Sequence, residues 1–196
     1  VKTFSIPFAL GEIKENITIS TNTPSNPSKP SKEEILNQAY KFHSQGNISE
    51  AAKYYQYLIN EGFKDYRVFS NYGVILKSLG KLQDAELSYR KAIEIKPDLA
   101  EVHSNLGNIL RDLNKLQEAE ISYRKAIELN PAFAEAYSNL GSILEDLGKL
   151  EDAELSLRKA IELNPNFAGA YYNLGNILKD LGNLKDAELS YRKAIE

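Results

Sequence analysis

The amino-acid sequence predicts an all-α fold in which about five helical hairpins stack into a solenoid. The first observation is a repeat of 34 residues, because blocks 97–130 and 131–164 are identical at 23 of 34 positions. The second is the spacing of apolar residues at intervals of three and four, which places them on one side of a helix. The third is a turn residue at the same point of every repeat. A hairpin that cannot bury its apolar side alone must stack on its neighbours.

The repeat frame divides most of the chain into five units. It runs forward into a shortened last copy and backward into a divergent first copy, in which Gln38 and Ala39 replace a Leu-Gly pair. Terminal repeats are commonly atypical because one of their sides faces solvent. We therefore expect helical hairpins at 29–62, 63–96, 97–130, 131–164 and, truncated, 165–196.

Each unit contains two helices separated by a tight turn. In the third unit Leu106 and Leu110 mark the first helix, and Ala119 and Tyr123 mark the second. Asn114 lies between them and is expected to have a positive φ, because asparagine, after glycine, best tolerates the left-handed backbone that ends a helix sharply. The other units have glycine at this position, namely Gly46, Gly80, Gly148 and Gly182.

Two further local signals support the hairpins. The positions of Gly107 and Ala119 carry a small residue in nearly every copy, which predicts a close approach of the paired helices. Ser31, with Glu34 three residues later, has the pattern of a capping box that opens the first helix.

The first 20 residues do not follow the repeat. Phe4, Ile6 and Phe8 alternate with other residues, and a second alternating run contains Ile17 and Ile19. This pattern is typical of a two-stranded β-hairpin, although an extended segment without a fixed partner fits equally. Residues 21–31 are rich in Ser, Thr, Asn and Pro and are expected to form a flexible linker.

The last unit stops at Glu196, where the earlier copies continue for two more helical residues. A solenoid normally closes with a polar-faced helix. We therefore expect the natural protein to continue, and we expect self-association through the uncovered last repeat as one consequence of an open end.

Composition argues against several classes of partner. The 196 residues include 24 Lys and Arg against 27 Asp and Glu, and a net charge of −3 is too small for bulk attraction to nucleic acid or a membrane. No apolar run approaches the roughly 20 residues of a membrane span. The chain contains no Cys, which excludes thiolate catalysis and fits a reducing compartment. We expect a cytoplasmic protein without nucleic-acid or membrane partners.

The sequence contains no recognisable catalytic constellation. Of the two histidines, His103 occupies a position that other units fill with Phe or Tyr, so packing between helices is its expected role. His43 has no second His or Cys at metal-ligand spacing. Phosphate-binding loops, Ser-His-Asp sets and zinc-hydrolase motifs are missing. We therefore expect a chain that is not an enzyme and needs neither cofactor nor metal.

The order of residues in each unit resembles the signature of the tetratricopeptide repeat (TPR) family. The resemblance extends over residues 29–196. It implies a right-handed α-solenoid whose first helices line a concave groove, and a protein-interaction scaffold that binds a protein or an extended peptide there. The residues that carry it in the third unit are His103, Leu106, Gly107, Leu110, Ala119, Tyr123, Ala126 and Pro131.

One polar residue is the same in all five units and directly precedes the Leu-Gly pair of the first helix. A carboxamide offers both a donor and an acceptor, so it can pair with a peptide backbone whatever the side chains of the ligand. The alternatives are that these groups only bond adjacent helices, or that the array is a structural spacer. The five are Asn37, Asn71, Asn105, Asn139 and Asn173, and the other expected groove residues are Asn108, Asn176, Lys77, Arg111 and Lys179.

The segments 103–108 and 137–141 are similar to the TPR arm of O-linked N-acetylglucosamine transferases, in which a comparable asparagine ladder holds protein substrates. This resemblance implies an alternative function, the substrate-recognition arm of a larger glycosyl-, sulfo- or methyltransferase whose catalytic domain lies beyond residue 196. Ser70, Ser104 and Ser138 stand where a clamp for chaperone tails would have its first Lys. A chaperone clamp is therefore not expected.

Overall fold

The computed structural model describes residues 2–10, 13–21 and 30–196, which belong to two compact units. The first unit ends at Lys81 and the second begins at Leu82. Most of the predicted linker at 21–31 lies outside the described residues. Each 34-residue block of the sequence from residue 29 onward contains two helices.

The first unit begins with a two-stranded antiparallel sheet. Strand β1 (Lys2–Leu10) pairs with strand β2 (Ile13–Thr21), and the register sets Phe4 opposite Ile19 and Ile6 opposite Ile17. Of the two alternatives that the alternating pattern left open, the N-terminal segment therefore has the β-hairpin.

Three helices complete the first unit: α1 (Lys32–Ser44), α2 (Ile48–Asn60) and α3 (Tyr66–Ser78). The predicted capping box is present, because the backbone N–H of Glu34 donates to the Ser31 hydroxyl and the Ser31 N–H donates to the Glu34 carboxylate at 2.7 Å. Helix α2 packs against both α1 and α3.

The second unit consists of seven helices, each of which packs against the next. The first helices of consecutive hairpins, α5, α7 and α9, also contact one another in order. This arrangement confirms the predicted α-helical repeat fold. The helices are α4 (Leu82–Ile95), α5 (Ala100–Asp112), α6 (Leu116–Leu129), α7 (Ala134–Asp146), α8 (Leu150–Leu163), α9 (Ala168–Asp180) and α10 (Leu184–Ile195).

The turn inside each hairpin has the predicted backbone. Asn114 has a φ of 58°, and Gly148, at the same position of the next repeat, has a φ of 72°. The N–H of Lys115 donates to the carbonyl of Leu110 at 2.8 Å, which closes the first helix of the hairpin with a Schellman motif. The turn therefore depends on a residue that tolerates the left-handed region.

The paired helices approach closely at the recurrent glycine position of the repeat. A Cβ added to Gly107 would lie 2.7 Å from Tyr123, and one added to Gly141 would lie 2.6 Å from Leu157. Both of these partners are fully buried. These two hairpins thus leave no space for a side chain at this position, as the pattern of small residues predicts.

Along the described part of the chain, every helix is too short or too polar to cross a lipid bilayer.

Candidate functional site on the first helices of the second unit

The candidate site is the asparagine face, which we define as Asn105 and Asn108 on α5, Asn139 on α7, and Asn173 and Asn176 on α9. Residues three apart lie on the same side of a helix, so Asn105 and Asn108 are neighbours, as are Asn173 and Asn176. Because α5, α7 and α9 contact one another in order, the face follows the three helices. All five side chains are half-buried.

A hydrogen-bond network links α5, α6 and α7 at this face. The Oδ1 atom of Asn108 accepts a hydrogen bond from the Tyr123 hydroxyl at 2.8 Å and another from Nδ2 of Asn139 at 3.3 Å. Burial raises the pKa of Tyr123 to about 12, so the phenol keeps its proton and remains a donor at physiological pH. The two bonds fix the orientation of the Asn108 carboxamide.

At the next junction, between α7 and α9, the acceptor is a serine in place of an asparagine. Nδ2 of Asn173 donates to the Ser142 hydroxyl at 3.0 Å, and that hydroxyl donates to the carbonyl of Ser138 at 3.3 Å. On the last hairpin the Tyr191 hydroxyl donates to Oδ1 of Asn176 at 2.8 Å. The carboxamide of Asn176 is thereby oriented in the same way as that of Asn108.

Two residues changed together explain why the middle repeat differs. Tyr123 and Tyr191 each face an asparagine, whereas Leu157 occupies the equivalent position opposite Ser142. Leucine has no hydroxyl to donate, and serine replaces the amide that would accept from it. Sequence reasoning missed the tyrosines and Ser142, but this joint substitution, visible when the repeats are aligned, is the signal that reveals them.

The network leaves a defined set of polar atoms without a protein partner. Within the described residues, Nδ2 of Asn108 and of Asn176 and Oδ1 of Asn139 and of Asn173 make no hydrogen bond. The first pair can only donate and the second pair can only accept. The face therefore offers both halves of what a peptide group needs, since each peptide unit carries one N–H and one C=O.

The predicted asparagines of the first unit have different surroundings. Asn37 is exposed on α1, and Nδ2 of Asn71 donates to the carbonyl of Arg67 within its own helix at 2.7 Å. In this unit Tyr40 and Tyr55 occupy the positions of Asn108 and Tyr123, and the Tyr55 hydroxyl is buried without a hydrogen-bond partner among the described residues. The tyrosine–asparagine network is therefore a feature of the second unit.

Charged residues next to the asparagine face change along the helices. Arg111 lies 3.9 Å from the carboxylate of Asp112 on α5, and Lys179 is exposed on α9, as Lys77 is on α3. On α7 the equivalent residue is Glu145. Burial, reinforced by the nearby charges of Asp146 and Asp180, raises the pKa of Glu145. The structure thus brings a basic residue and an acidic one to equivalent positions of adjacent repeats.

The two histidines lie outside this face. His103 is buried, and its Nε2 lies 2.9 Å from the carbonyl of Pro97, in agreement with the predicted packing role. The His43 ring makes an edge contact with Tyr55 at a centroid distance of 6.3 Å. Across the part of the chain that the structure describes, no group of three or more His, Cys, Asp or Glu side chains could hold a metal ion.

The sequence matches the family model described as TPR repeat at three overlapping places, residues 73–110, 107–148 and 141–182. No curated protein sequence matches the chain.

Solved structures resemble the fold closely at low sequence identity. MamA from Desulfovibrio magneticus RS-1 is 21% identical with a TM-score of 0.78, over 86% of this chain and 96% of that one. YrrB, described as a TPR protein with an unusual peptide-binding site, is 23% identical with a TM-score of 0.72, over 84% and 85%. PilF of Pseudomonas aeruginosa is 19% identical with a TM-score of 0.74, over 84% and 75%. At these identities the likeness shows the fold alone.

Proposed function

Because the chain belongs to the tetratricopeptide repeat family, whose model matches more than half of its residues, we propose that it is a protein-interaction scaffold that holds an extended peptide along the asparagine face. The observation that carries this proposal is the fixed orientation of the carboxamides. Tyr123 and Tyr191 hold Oδ1 of Asn108 and Asn176, so the Nδ2 atoms remain available as donors.

The proposed contact is made with the backbone of the peptide. A peptide C=O accepts from Nδ2 of Asn108, and a neighbouring N–H donates to Oδ1 of Asn139, the next residue of the network. Asn176 and Asn173 provide the same two functions on α9. Because these contacts use only main-chain groups of the ligand, they support binding of many sequences in one extended conformation.

Orientation before binding also favours affinity. A free carboxamide loses rotamer freedom when a ligand immobilises it, which costs about 0.5–1.5 kcal/mol for each ordered side chain. The tyrosine and asparagine hydrogen bonds have already removed part of that freedom. Tyr123 and Tyr191 are therefore proposed as positioning residues that do not touch the ligand.

The side chains of the ligand are proposed to be chosen by the charged positions beside the face. Arg111 and Lys179 attract acidic groups, whereas Glu145 between them in sequence favours a basic or hydrogen-bonding group. In the first unit, Asn37, Asn71 and Lys77 are proposed to contact the same type of ligand. The description of YrrB as a protein with a peptide-binding site supports the general proposal.

The test uses peptides selected on the protein itself. Random 12-residue peptides displayed on phage are selected against the whole chain, and the dissociation constant of the best synthetic peptide is measured by isothermal titration calorimetry. Asn139→Ala and the double variant Asn105→Ala/Asn139→Ala are compared with the wild type. We expect at least a tenfold weaker affinity for the double variant, equivalent to about 1.4 kcal/mol.

Two further variants separate binding from stability. Tyr191→Phe keeps the ring that packs on Gly175 but removes the hydroxyl that orients Asn176, so affinity should fall while the thermal midpoint changes little. Gln117→Ala, an exposed change on α6, should alter neither. Unchanged affinity in the double asparagine variant would show that these amides only bond adjacent helices, and failure to select any peptide would contradict the peptide-scaffold proposal.

The alternative proposal is that the chain is the substrate-recognition arm of a larger transferase. The similarity of segments 103–108 and 137–141 to the TPR arm of O-linked N-acetylglucosamine transferases supports it. The intact mass of the natural protein decides between the two, because a transferase requires a catalytic domain that this chain lacks the residues to form. A mass close to 22.0 kDa would contradict the transferase alternative.

Three further expectations belong to the same proposal. We infer that the chain binds its partner and does not catalyse a reaction, since the site contains amides in place of a nucleophile and base. We propose a cytoplasmic location, which the lack of cysteine supports. We also propose that the end of the last repeat, where Leu184 is 66% exposed, can associate with another copy of the chain.

A further inference from the structure

The second unit has an exposed row of aliphatic residues on the side of its second helices. We define the aliphatic stripe as Leu87 on α4, Ile121 on α6, Leu155 on α8 and Leu189 on α10. Their exposed fractions are 63%, 68%, 67% and 59%. The four residues are spaced by 34 positions, so they occupy the same place in the second helix of four successive repeats.

The hairpins themselves give no reason for aliphatic residues at these positions. Tyr89 and Tyr123, two residues further along α4 and α6, are buried, whereas Leu87 and Ile121 are exposed. A single exposed leucine is common on protein surfaces. Four in one register form a row, and a row of exposed apolar side chains is typical of a surface that another protein covers.

Most of the charged residues that flank the stripe form ion pairs within their own helix. Every one of the four helices carries a Glu–Arg pair at spacing i, i+4 and a Lys–Glu pair at spacing i, i+3. One acidic residue also lies three positions before each stripe residue, so the flanks keep a small net negative charge. These four residues are Asp84, Glu118, Asp152 and Asp186. The pairs are Glu86–Arg90, Lys91–Glu94, Glu120–Arg124, Lys125–Glu128, Glu154–Arg158, Lys159–Glu162, Glu188–Arg192 and Lys193–Glu196.

The surface next to the stripe also contains a groove. Between α8 and α10 it has a volume of about 520 Å³, and its lining combines Ile161, Leu174 and Leu178 with charged residues such as Arg158 and Asp186. Leu189 of the stripe lines the same groove. An aliphatic ridge beside a partly apolar groove is a surface shape that lets two helical surfaces interlock.

From these observations we propose that the stripe is the contact between two copies of this chain. A partner must present apolar groups at the spacing of the repeat, and a second copy does so by construction. In a two-fold contact the same patch serves both molecules, so Ile121 of one copy meets Leu155 of the other, and the reverse. The flanking ion pairs keep the net charge low enough for such a contact, because identical surfaces of high net charge would repel each other.

The size of the stripe sets the strength of the contact. Four aliphatic side chains with the stems of the flanking arginines cover less than the roughly 800 Å² that each partner of a standard interface buries. We therefore expect a weak dimer with a dissociation constant of about 10–100 μM. This proposal concerns the second helices and does not depend on peptide binding at the asparagine face.

The test is sedimentation velocity of the whole chain between about 10 μM and 1 mM, a range that brackets the expected dissociation constant. The wild type is compared with Ile121→Lys/Leu155→Lys, which places charges at the centre of the stripe. Lysine is compatible with the fold at this position, because the equivalent residue of the first repeat is Lys53, which pairs with Glu50. We expect the wild type to dimerise and the double variant to need at least a tenfold higher concentration.

A control separates the stripe from the end of the last repeat. Leu184→Lys changes an equally exposed leucine of α10 at the last-repeat contact proposed above, outside the stripe. It should keep the stripe dimer and lose only the assembly that uses the last repeat. Circular dichroism melts show whether each variant is folded. A wild type that remains monomeric at the highest concentration, or a folded stripe variant that dimerises like the wild type, would overturn the proposal, as would loss of the dimer in Leu184→Lys alone.

Discussion

Two successive junctions of the second unit, built on the same backbone, differ in their polar contacts. Where α6 meets the hairpin of α7 and α8, Nζ of Lys149 lies 2.8 Å from Oε2 of Glu120. Where α8 meets the hairpin of α9 and α10, Asn183 occupies the position of Lys149, and the equivalent Glu154 bonds Arg158 of its own helix. Among the described residues, the first junction thus has an ion pair between hairpins that the second lacks.

The difference shows that the repeat does not depend on these ion pairs to fold. Glu86 and Lys115 form the same bridge at 2.8 Å one repeat earlier, so two junctions of the unit carry it and the third does without. Both glutamates are only about a tenth exposed, and a partly buried carboxylate needs a partner. Apolar packing therefore makes the hairpins stack, while the bridges add stability at particular junctions.

The largest effect is expected from the packing within a hairpin. Gly141→Ala would place a Cβ 2.6 Å from the buried Leu157, and overpacking of this kind costs about 1–3 kcal/mol. Gly169→Ala is the matched control, because its Cβ would have no neighbour closer than 3.5 Å. Urea denaturation measures both. If Gly141→Ala were as stable as Gly169→Ala, packing would not dominate the stability of the hairpin.

The next effect concerns the bridged junction. Lys149→Met leaves Glu120 with Arg124 as its remaining partner, and we expect a loss of about 1 kcal/mol in the free energy of unfolding. Asn183→Met at the unbridged junction should cost less than half as much. Thermal and urea unfolding measure both variants. If the two variants lost equal stability, the Lys149–Glu120 pair would contribute no more than an exposed side chain does.

Low pH should remove the stability that the Lys149–Glu120 pair contributes. The hydrogen bond from Lys149 is the main cause that lowers the pKa of Glu120, against the effect of burial and with help from Arg124. A folded-state pKa below the unfolded value of about 4.3 means that the stabilisation is present above that pH and is lost as the pH falls through the folded-state pKa. The stability difference between wild type and Lys149→Met should therefore shrink from about pH 7 to about pH 3.

Glu145 is a control, because its effect on stability should change with pH in the opposite direction. Burial is the main cause that raises its pKa, so its ionised form destabilises the folded state and stability is lost as the pH rises through that value. Glu145→Gln should be more stable than the wild type at about pH 7, with the difference shrinking at about pH 3. Relative to the wild type, Lys149→Met should therefore gain stability as the pH falls, and Glu145→Gln should lose it. If both variants changed in the same direction relative to the wild type, the assignment of charge effects at one of the two sites would be wrong.

The smallest effect is the creation of the missing bridge. Asn183→Lys supplies a cation for Glu154, whose side chain is 25% exposed, and should stabilise the chain by about 0.5 kcal/mol. The gain should disappear in a Glu154→Gln background, which a double-mutant cycle measures. A gain that persists there would have to come from the introduced lysine itself and not from an ion pair between hairpins.

Most of the fold could be predicted from the sequence because the signals are local. The turn at Asn114, the capping box at Ser31 and the close approach at Gly107 all depend on backbone requirements within one hairpin. The β-hairpin could not be separated from an extended segment, because alternation alone says nothing about which strand, if any, lies beside it. Element order and turn geometry thus follow from near neighbours in the chain.

The candidate site was predictable only as a row of positions. The repeat identified Asn139 and Asn173, but their partners, Asn108 and Ser142, lie 31 residues away. The direction of each carboxamide depends on which atom of the neighbouring hairpin it meets. Sequence reasoning therefore left open whether these amides serve a ligand or the fold, and the structure adds which atoms remain without a partner among the described residues.

The sequence by itself determined the repeat, the helices, the left-handed turns and the family, since each depends on residues within one 34-residue unit. Only the tertiary structure decided which polar atoms of Asn108 and Asn139 stay without a hydrogen bond among the described residues, which junction has an ion pair, and that Ile121 and Leu155 stay exposed in one row. These properties depend on contacts between residues about 30 positions apart, and such contacts are set by the stacking of hairpins. Local periodicity specifies that stacking occurs but not which side-chain atoms it joins.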